Sequence, residues 1–301
     1  MLSSKQYNPD GSLYSPASET DSLYGDVIQV NGQPWPFLAV EPRKYRLRFL
    51  NAAVSRTFEL YFQRSTGSAT KIPFQVVASD AGLLSAPAVT ENLYISVAER
   101  YEVVFDFAGF AGQNVTLRNS RGVGGDVDYL HTDKVMRFVV SEARAPAGDT
   151  SVVPAILREV DFPRPSRPGQ VDRRFKFDKT NGVWTINGAG FKDVNNRVLA
   201  NVPRGKVEVW ELQNGGAGPD THPIHVHLVD FRVLWRSGGR GRPVYNYEIQ
   251  GLKDVVWLDA GETVRVEAHY APWDGVYMFH CHNLVHEDVS SCPLTLLETT
   301  H

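Results

Sequence analysis

The sequence predicts an all-β chain built as two related β-sandwich domains. Three observations carry this. Short alternating segments recur, as in Tyr45-Arg46-Leu47-Arg48-Phe49-Leu50 and Thr263-Val264-Arg265-Val266-Glu267-Ala268, and strict alternation is the period of a half-buried strand. Turn residues punctuate the strands, at Asn31-Gly32, Asp80-Ala81-Gly82 and Asn187-Gly188. The chain also repeats itself weakly. VEPRKYRLRFLNA from Val40 is echoed by VPRGKVEVWELQN from Val202, and VAERYEVVFDFA from Val97 by DAGETVRVEAHYA from Asp259. Both echoes have the same offset, on the scale of one domain and a linker.

Taken in order, residues 1–145 are expected to form the first domain. From Ala145 to Val171 the chain is rich in Pro, Arg, Gly and Ser, with Phe162-Pro163-Arg164-Pro165-Ser166-Arg167-Pro168-Gly169 at its centre. Prolines remove ladder donors and favour extended backbone, so 146–170 is expected to be a linker over the surface of the second domain, 171–301. The 301 residues suffice for two real cores. A formal net charge of −3 gives no electrostatic case for nucleic acid or an anionic membrane. No apolar run reaches membrane-spanning length, and the opening MLSSKQYNPDGSLY has no apolar signal core.

Chemistry is concentrated in two clusters of the second domain. One is His222-Pro223-Ile224-His225-Val226-His227 and the other His280-Cys281-His282-Asn283-Leu284-Val285-His286. Six of the nine histidines and one of the two cysteines lie there. Imidazole with thiolate is a ligand set for copper, zinc or iron, and one Cys with two His in a trigonal set is the blue-copper pattern. Zinc sites more often show CxxC or HExxH spacings.

Strand geometry sorts these side chains. Successive residues face opposite ways, so His280 and His282 share one face and Cys281 takes the other. His225 and His227 likewise share a face. Four imidazoles then converge for a multi-metal cluster, while Cys281, His286 and His222 form a separate site joined to it by one strand of backbone. The first domain holds no Cys and only His131, so a comparable copper site is not expected there. Asn114-Val115-Thr116 is a glycosylation sequon that matters only in a secreted chain.

HPIHVHLVDF and HCHNLVHED resemble the two C-terminal copper motifs of the multicopper oxidases. GDVIQVNGQPWPF, VEPRKYRLRFLNAAVSR, YISVAERYEVVFDF, TDKVMRFVV, WTINGAGF, GLKDVVWL and VEAHYAP are similar to the bilirubin oxidase branch. The resemblance runs from about Leu13 to Asp288 and implies two cupredoxin-like Greek-key β-sandwich domains. It implies type 1 copper on His222, Cys281 and His286, a type 2 ligand in His225, and type 3 ligands in His227, His280 and His282. Glu287 matches a carboxylate that relays protons to the cluster; the alternative is a hydrogen bond orienting His286.

By the same resemblance, a small-molecule reductant of phenolic or tetrapyrrole type gives electrons singly to type 1 copper, and dioxygen is reduced to water. The family's first domain supplies HxHG and HxH motifs that are absent from this sequence. His131, His269 and His301 do not replace them. The chain therefore resembles the second and third domains, with half of a type 2/type 3 trinuclear cluster. A first-domain chain or an oligomer partner is expected to complete it. The family is largely secreted or periplasmic, so an extracellular or periplasmic location would follow, although no signal peptide is visible.

Two positions depart from the pattern. The family's axial methionine position is Ser291, followed by Cys292 and Pro293, and the family's Trp two residues ahead of the first motif is Asp220. If Cys281 is a ligand, Cys292 has no intrachain disulfide partner. Two functions are thus expected to compete. One is an oxidase half. The other is a non-catalytic copper-binding or electron-transfer protein with a type 1 site only, or a degenerate relic.

Overall fold

In the computed structural model, residues 1–67, 69–123, 129–142, 150–190, 192–216, 218, 220–288 and 295–300 are described. They are nearly all β, in strands paired into five sheets among the described residues. The chain divides into two compact units. The first is Met1–Tyr14, Tyr24–Ser79 and Leu83–Glu159; the second is Ser15–Leu23, Asp80–Gly82 and Val160–His301. Residues 150–172 contain neither strand nor helix. No helix among the described residues is long and apolar enough to cross a membrane.

The strands of the first half are β1 (Leu2–Lys5), β2 (Val27–Val30), β3 (Gln33–Pro34), β4 (Phe37–Val40), β5 (Lys44–Leu50), β6 (Phe58–Arg64), β7 (Lys71–Ile72), β8 (Phe74–Ser79), β9 (Gly82–Thr90), β10 (Leu93–Ile95), β11 (Arg100–Asp106), β12 (Asn114–Asn119) and β13 (Lys134–Val140). They pair as β1-β2-β3, as β10-β6-β12-β13-β4 with β7 on β6, and as β5-β11-β8-β9. Alternation explains the packing. Tyr101, Val103 and Phe105 of β11 are buried, while Glu102 between them pairs with Arg46 and Arg48 on the outer side of β5. Aromatic rings fill the core: Phe62 lies 4.1 Å from Phe105 and Phe107 5.0 Å from Phe138, between ring centroids. Such pairs add about 0.5–1.5 kcal/mol beyond burial.

The second unit carries β14 (Arg173–Thr180), β15 (Val183–Ile186), β16 (Val198–Pro203), β17 (Lys206–Asn214), β18 (His222–Val226), β19 (Phe231–Gly238), a short helix α1 (Asn246–Ile249), β20 (Val255–Leu258), β21 (Glu262–Tyr270), β22 (Gly275–Cys281), α2 (Leu284–Asp288) and β23 (Thr295–Thr300). One sheet runs β15-β14-β17-β21-β19 and the other β16-β23-β22-β18-β20. The pairs β14–β17 and β16–β23 are parallel. Parallel neighbours need crossover connections rather than hairpins, and here they produce the Greek-key weave of a cupredoxin-like sandwich. Phe175, Trp184, Trp210, Ile224, Phe231, Val256, Val266, Phe279 and Cys281 belong to one core cluster.

The Asn187-Gly188 turn has φ of 53° and 80° at its two residues. Both values are positive, as a type I′ hairpin requires, and Asn-Gly tolerates them best. Asn181-Gly182, joining β14 to β15, does the same at 51° and 79°.

Candidate metal centre

The two histidine clusters meet because β18 and β22 are antiparallel neighbours. Their register sets Ile224 opposite Cys281, His225 opposite His280, and Val226 opposite Phe279. Ile224, Val226, Phe279 and Cys281 are buried in the core. His225 and His280 therefore point out of the other face of the same two strands.

On the inner side, His222 opens β18, Cys281 closes β22, and His286 follows in α2. Asn283 starts that turn, its Oδ1 accepting the Val285 N–H at 3.2 Å in the manner of an N-cap. The turn brings His286 back over the sulfur. Cys281 Sγ lies 3.4 Å from His222 Nδ1 and 3.4 Å from His286 Nδ1. The three donor atoms lie within 4.8 Å of one another. Cys281 is not in a disulfide.

The surroundings keep both rings neutral. Burial pushes the His222 imidazole down to about 3, with Asp178 opposing weakly. Burial, then the neighbouring His222, holds His286 well below its ordinary value. A buried imidazole that does not take a proton keeps a lone pair for a metal. Trp184 lies against His286 with centroids 4.0 Å apart and ring planes tilted by 34°, and it meets His222 edge-on at 5.1 Å. His222 Nε2 is buried without a hydrogen-bond partner, so no polar anchor competes with the approach of Nδ1 to sulfur. Two neutral imidazoles and a thiol in an apolar pocket fit a copper ion by donor chemistry.

On the outer side four rings cluster. His225 lies 4.6 Å from His227, 5.7 Å from His280 and 5.9 Å from His282, between centroids. His280 lies 5.3 Å from His282. His227 Nε2 and His280 Nε2 face each other at 3.3 Å. Burial lowers the His280 imidazole to about 3; His227 is lowered too, by burial first and then by His225 and His282. His225 Nδ1 donates to the Asp254 carbonyl at 2.7 Å, and His280 Nδ1 to the Cys281 carbonyl at 3.1 Å. Those bonds fix the tautomers and leave Nε2 without a proton on both rings, that of His280 facing His227 Nε2. The His282 N–H donates to the Pro223 carbonyl at 2.6 Å, which ties β22 to β18 beyond the last ladder pair.

The Glu287 carboxylate comes to 3.7 Å of His280 Nδ1, too far for a hydrogen bond. Asn283 Nδ2 lies 3.2 Å from the second nitrogen of His286, Nε2, and the Asp21 backbone also hydrogen-bonds the His286 ring. Asp220 has its carboxyl raised by burial first and by the charge of Asp21 second. His131 sits in the first unit at a turn with φ of 74°, and His269 is exposed on β21. His301 and the run Val289-Ser290-Ser291-Cys292-Pro293, with the axial-ligand question, lie outside the described residues.

Sequence reasoning did not single out Trp184, Asn283, Asp254 or the segment Ser15–Leu23. Asp254 acts through its backbone oxygen, which no side-chain motif announces. Ser22 Oγ accepts from Asn283 Nδ2 at 3.1 Å, a contact spanning most of the chain. Asp80 reaches the same region. Its Oδ2 accepts from Lys253 Nζ at 2.8 Å, with both side chains fully buried, one residue before the carbonyl that holds His225.

Fold and side chains together describe a cupredoxin-like β-sandwich protein with a buried Cys–His cluster of a kind that can hold a metal ion. The multicopper oxidase family model matches residues 163–291. Bilirubin oxidase of Albifimbria verrucaria is 60% identical over 293 residues, covering 96% of this chain and 50% of that protein. A laccase of Haloferax volcanii is 36% identical, covering 96% of this chain and 50% of its own length. Among solved structures, the McoA multicopper oxidase of Aquifex aeolicus superimposes with a TM-score of 0.84 at 26% identity, covering all of this chain and 65% of that one. The chain belongs to the multicopper oxidase family, and it spans about half the length of these two curated relatives.

Proposed function

We propose that this chain is the copper-bearing part of an oxidase that couples one-electron oxidation of small phenolic or tetrapyrrole reductants to reduction of O2 to water. The observation that carries this reading is the convergence of His222 Nδ1, Cys281 Sγ and His286 Nδ1 on one buried point. These three residues would hold a type 1 copper. His225, His227, His280 and His282 would contribute their half of a type 2/type 3 cluster, completed by a first-domain chain or a partner copy. Copper, when bound, supplies the one-electron chemistry that none of these side chains can supply.

The rest is done by the protein. Cys281 is peptide-bonded to His280 and His282, so a continuous covalent path joins the inner set to the outer one. The Asp254 and Cys281 carbonyls hold His225 and His280 with Nε2 outward. Burial keeps protons off His222 and His280 at neutral pH. Glu287, half-buried with its carboxylate 3.7 Å from His280 Nδ1, would hold a proton near the outer set.

A second reading is a type 1 site alone, serving electron transfer. It is favoured by the fact that only the inner set brings a thiol and two imidazoles to one point among the described residues. Copper content, visible spectrum and oxygen uptake decide between them. The chain alone should bind copper with an intense thiolate band. Addition of a first domain should raise the copper content and start oxygen uptake. A blue band with no gain on addition would leave the electron-transfer reading, and no band in either preparation would end both.

A further inference from the structure

His222, Cys281 and His286 are 1%, 0% and 0% exposed. No outside reductant touches them, so an electron entering the site must cross another side chain. Three routes leave His286. Two are hydrogen-bonded and saturated, one through Asn283 to Ser22 Oγ and one to the backbone of Asp21. The third is aromatic, through Trp184, whose ring centroid lies 4.0 Å from that of His286 with 34° between planes. Trp184 also meets the edge of His222, so one indole touches both imidazoles. It is itself only 2% exposed. What covers it is Lys179, whose Nζ sits 5.0 Å from the indole centroid. Lys179 pairs with Asp21, and their side chains are 30% and 56% exposed. From solvent to imidazole there are thus two van der Waals steps, the inner one between π systems.

We propose that Trp184 is the relay by which electrons from an outside donor reach the His222–Cys281–His286 centre. The proposal rests on the metal reading above. In each event the donor loses one electron and the bound copper gains it, going from cupric to cuprous. The indole begins and ends neutral, and a phenolic donor's proton goes to solvent. The donor is a neutral phenol rather than an anion, because Asp21, Asp178 and Asp220 outnumber Lys176 and Lys179 around the relay. Pairing of Lys176 with Asp178 and of Lys179 with Asp21 leaves the Asp220 charge in excess.

The test is anaerobic stopped-flow reduction of the copper-loaded, oxidised chain by hydroquinone, read as bleaching of the visible band. Trp184→Leu should lose most of the bleaching rate, Trp184→Phe should lose less, and Ser22→Ala should match the parent. Band position and midpoint potential are measured on each variant, so that a change in driving force or a distorted site is seen separately. Trp184→Leu at the parental rate would overturn the relay, as would a loss carried by Ser22→Ala. Should Trp184→Leu fail to fold, the ratio of Trp184→Phe to Ser22→Ala decides, and equal rates overturn the proposal. A parent chain that takes up copper without a visible band would instead overturn the metal reading itself.

Discussion

Cys281 lies directly opposite Ile224 in the antiparallel pair β18–β22, one step along from the pair of His225 and His280. That register does the sorting at this site. Ile224 and Cys281 enter the core at 0% exposure, and the imidazoles one residue away emerge on the other face. A thiol in the apolar core and imidazoles on the opposite face are served by the same two strands.

Cys281→Ser should therefore separate the two sets. The hydroxyl is a poor copper ligand beside a thiolate, so the visible band and the inner copper are lost. The outer imidazoles keep their positions, since β22 is held by its ladder. Copper titration followed by absorption and spin resonance reads both sets at once. Loss of the outer copper signal along with the inner would show that the sets are not independent.

Ile224→Ala tests the packing behind the sulfur. Truncating a fully buried Ile leaves a cavity and costs about 2–5 kcal/mol. Urea unfolding of the copper-free protein should show the shift in the second unit's transition. A change under about 1 kcal/mol would mean that the pocket collapses to fill the space.

Lys253 and Asp80 form a fully buried ion pair. Removing one partner leaves a charge in the core, at a cost of about 3–5 kcal/mol. Asp80→Ala should be destabilised by that much, and Asp80→Leu with Lys253→Met should recover most of it. The single variant should also weaken copper binding on the outer face, because Lys253 adjoins the Asp254 carbonyl that fixes His225. Unfolding curves together with competition for copper by a chelator would reveal whether stability and binding move together.

Acid should loosen the copper-free chain earlier than carboxylate titration would. His222 and His280 are held at about 3, against an ordinary value of 6.5. Below about 6.5 the unfolded state binds protons that the folded state refuses, so stability falls as pH drops from there toward 3. Each group contributes a slope of about 1.4 kcal/mol per pH unit in that window. Between pH 6.5 and 5 most carboxylates are still ionised in both states, which isolates the histidines. His222→Phe should flatten the slope of the unfolding midpoint against pH over this range; an unchanged slope would remove His222 from the account.

Much of the fold and of the site is legible in the sequence, for a physical reason. Alternation in Thr263–Ala268 and the Asn187-Gly188 turn are local signals, carried by a few neighbouring residues, and they form β21 and a type I′ hairpin. The HxH spacings fix facing through the strand period, so the division of His280 and His282 from Cys281 follows from the spacing alone. What is not legible is what depends on distant pairing. Asp254 contributes a carbonyl rather than a side chain. Ser15–Leu23 lies far ahead of α2 in the chain yet supplies the hydroxyl that meets Asn283. Trp184 stands in the WTINGAGF segment, and nothing local there says that its ring lies on His286. Adjacency in sequence offers Glu287 as a group to orient His286, yet its carboxylate lies toward His280, because the α2 turn swings it to the other side.

The offset of one residue between thiol and imidazole has a further consequence for how this segment can change over time. Between Phe279 and His282, substitutions alter one side chain each. Gaining or losing a single residue would invert the whole run, bringing an imidazole into the core and the thiol onto the outer face. Lineages carrying this strand are free to vary its letters far more than its length, and gaps in related sequences should fall outside β18 and β22.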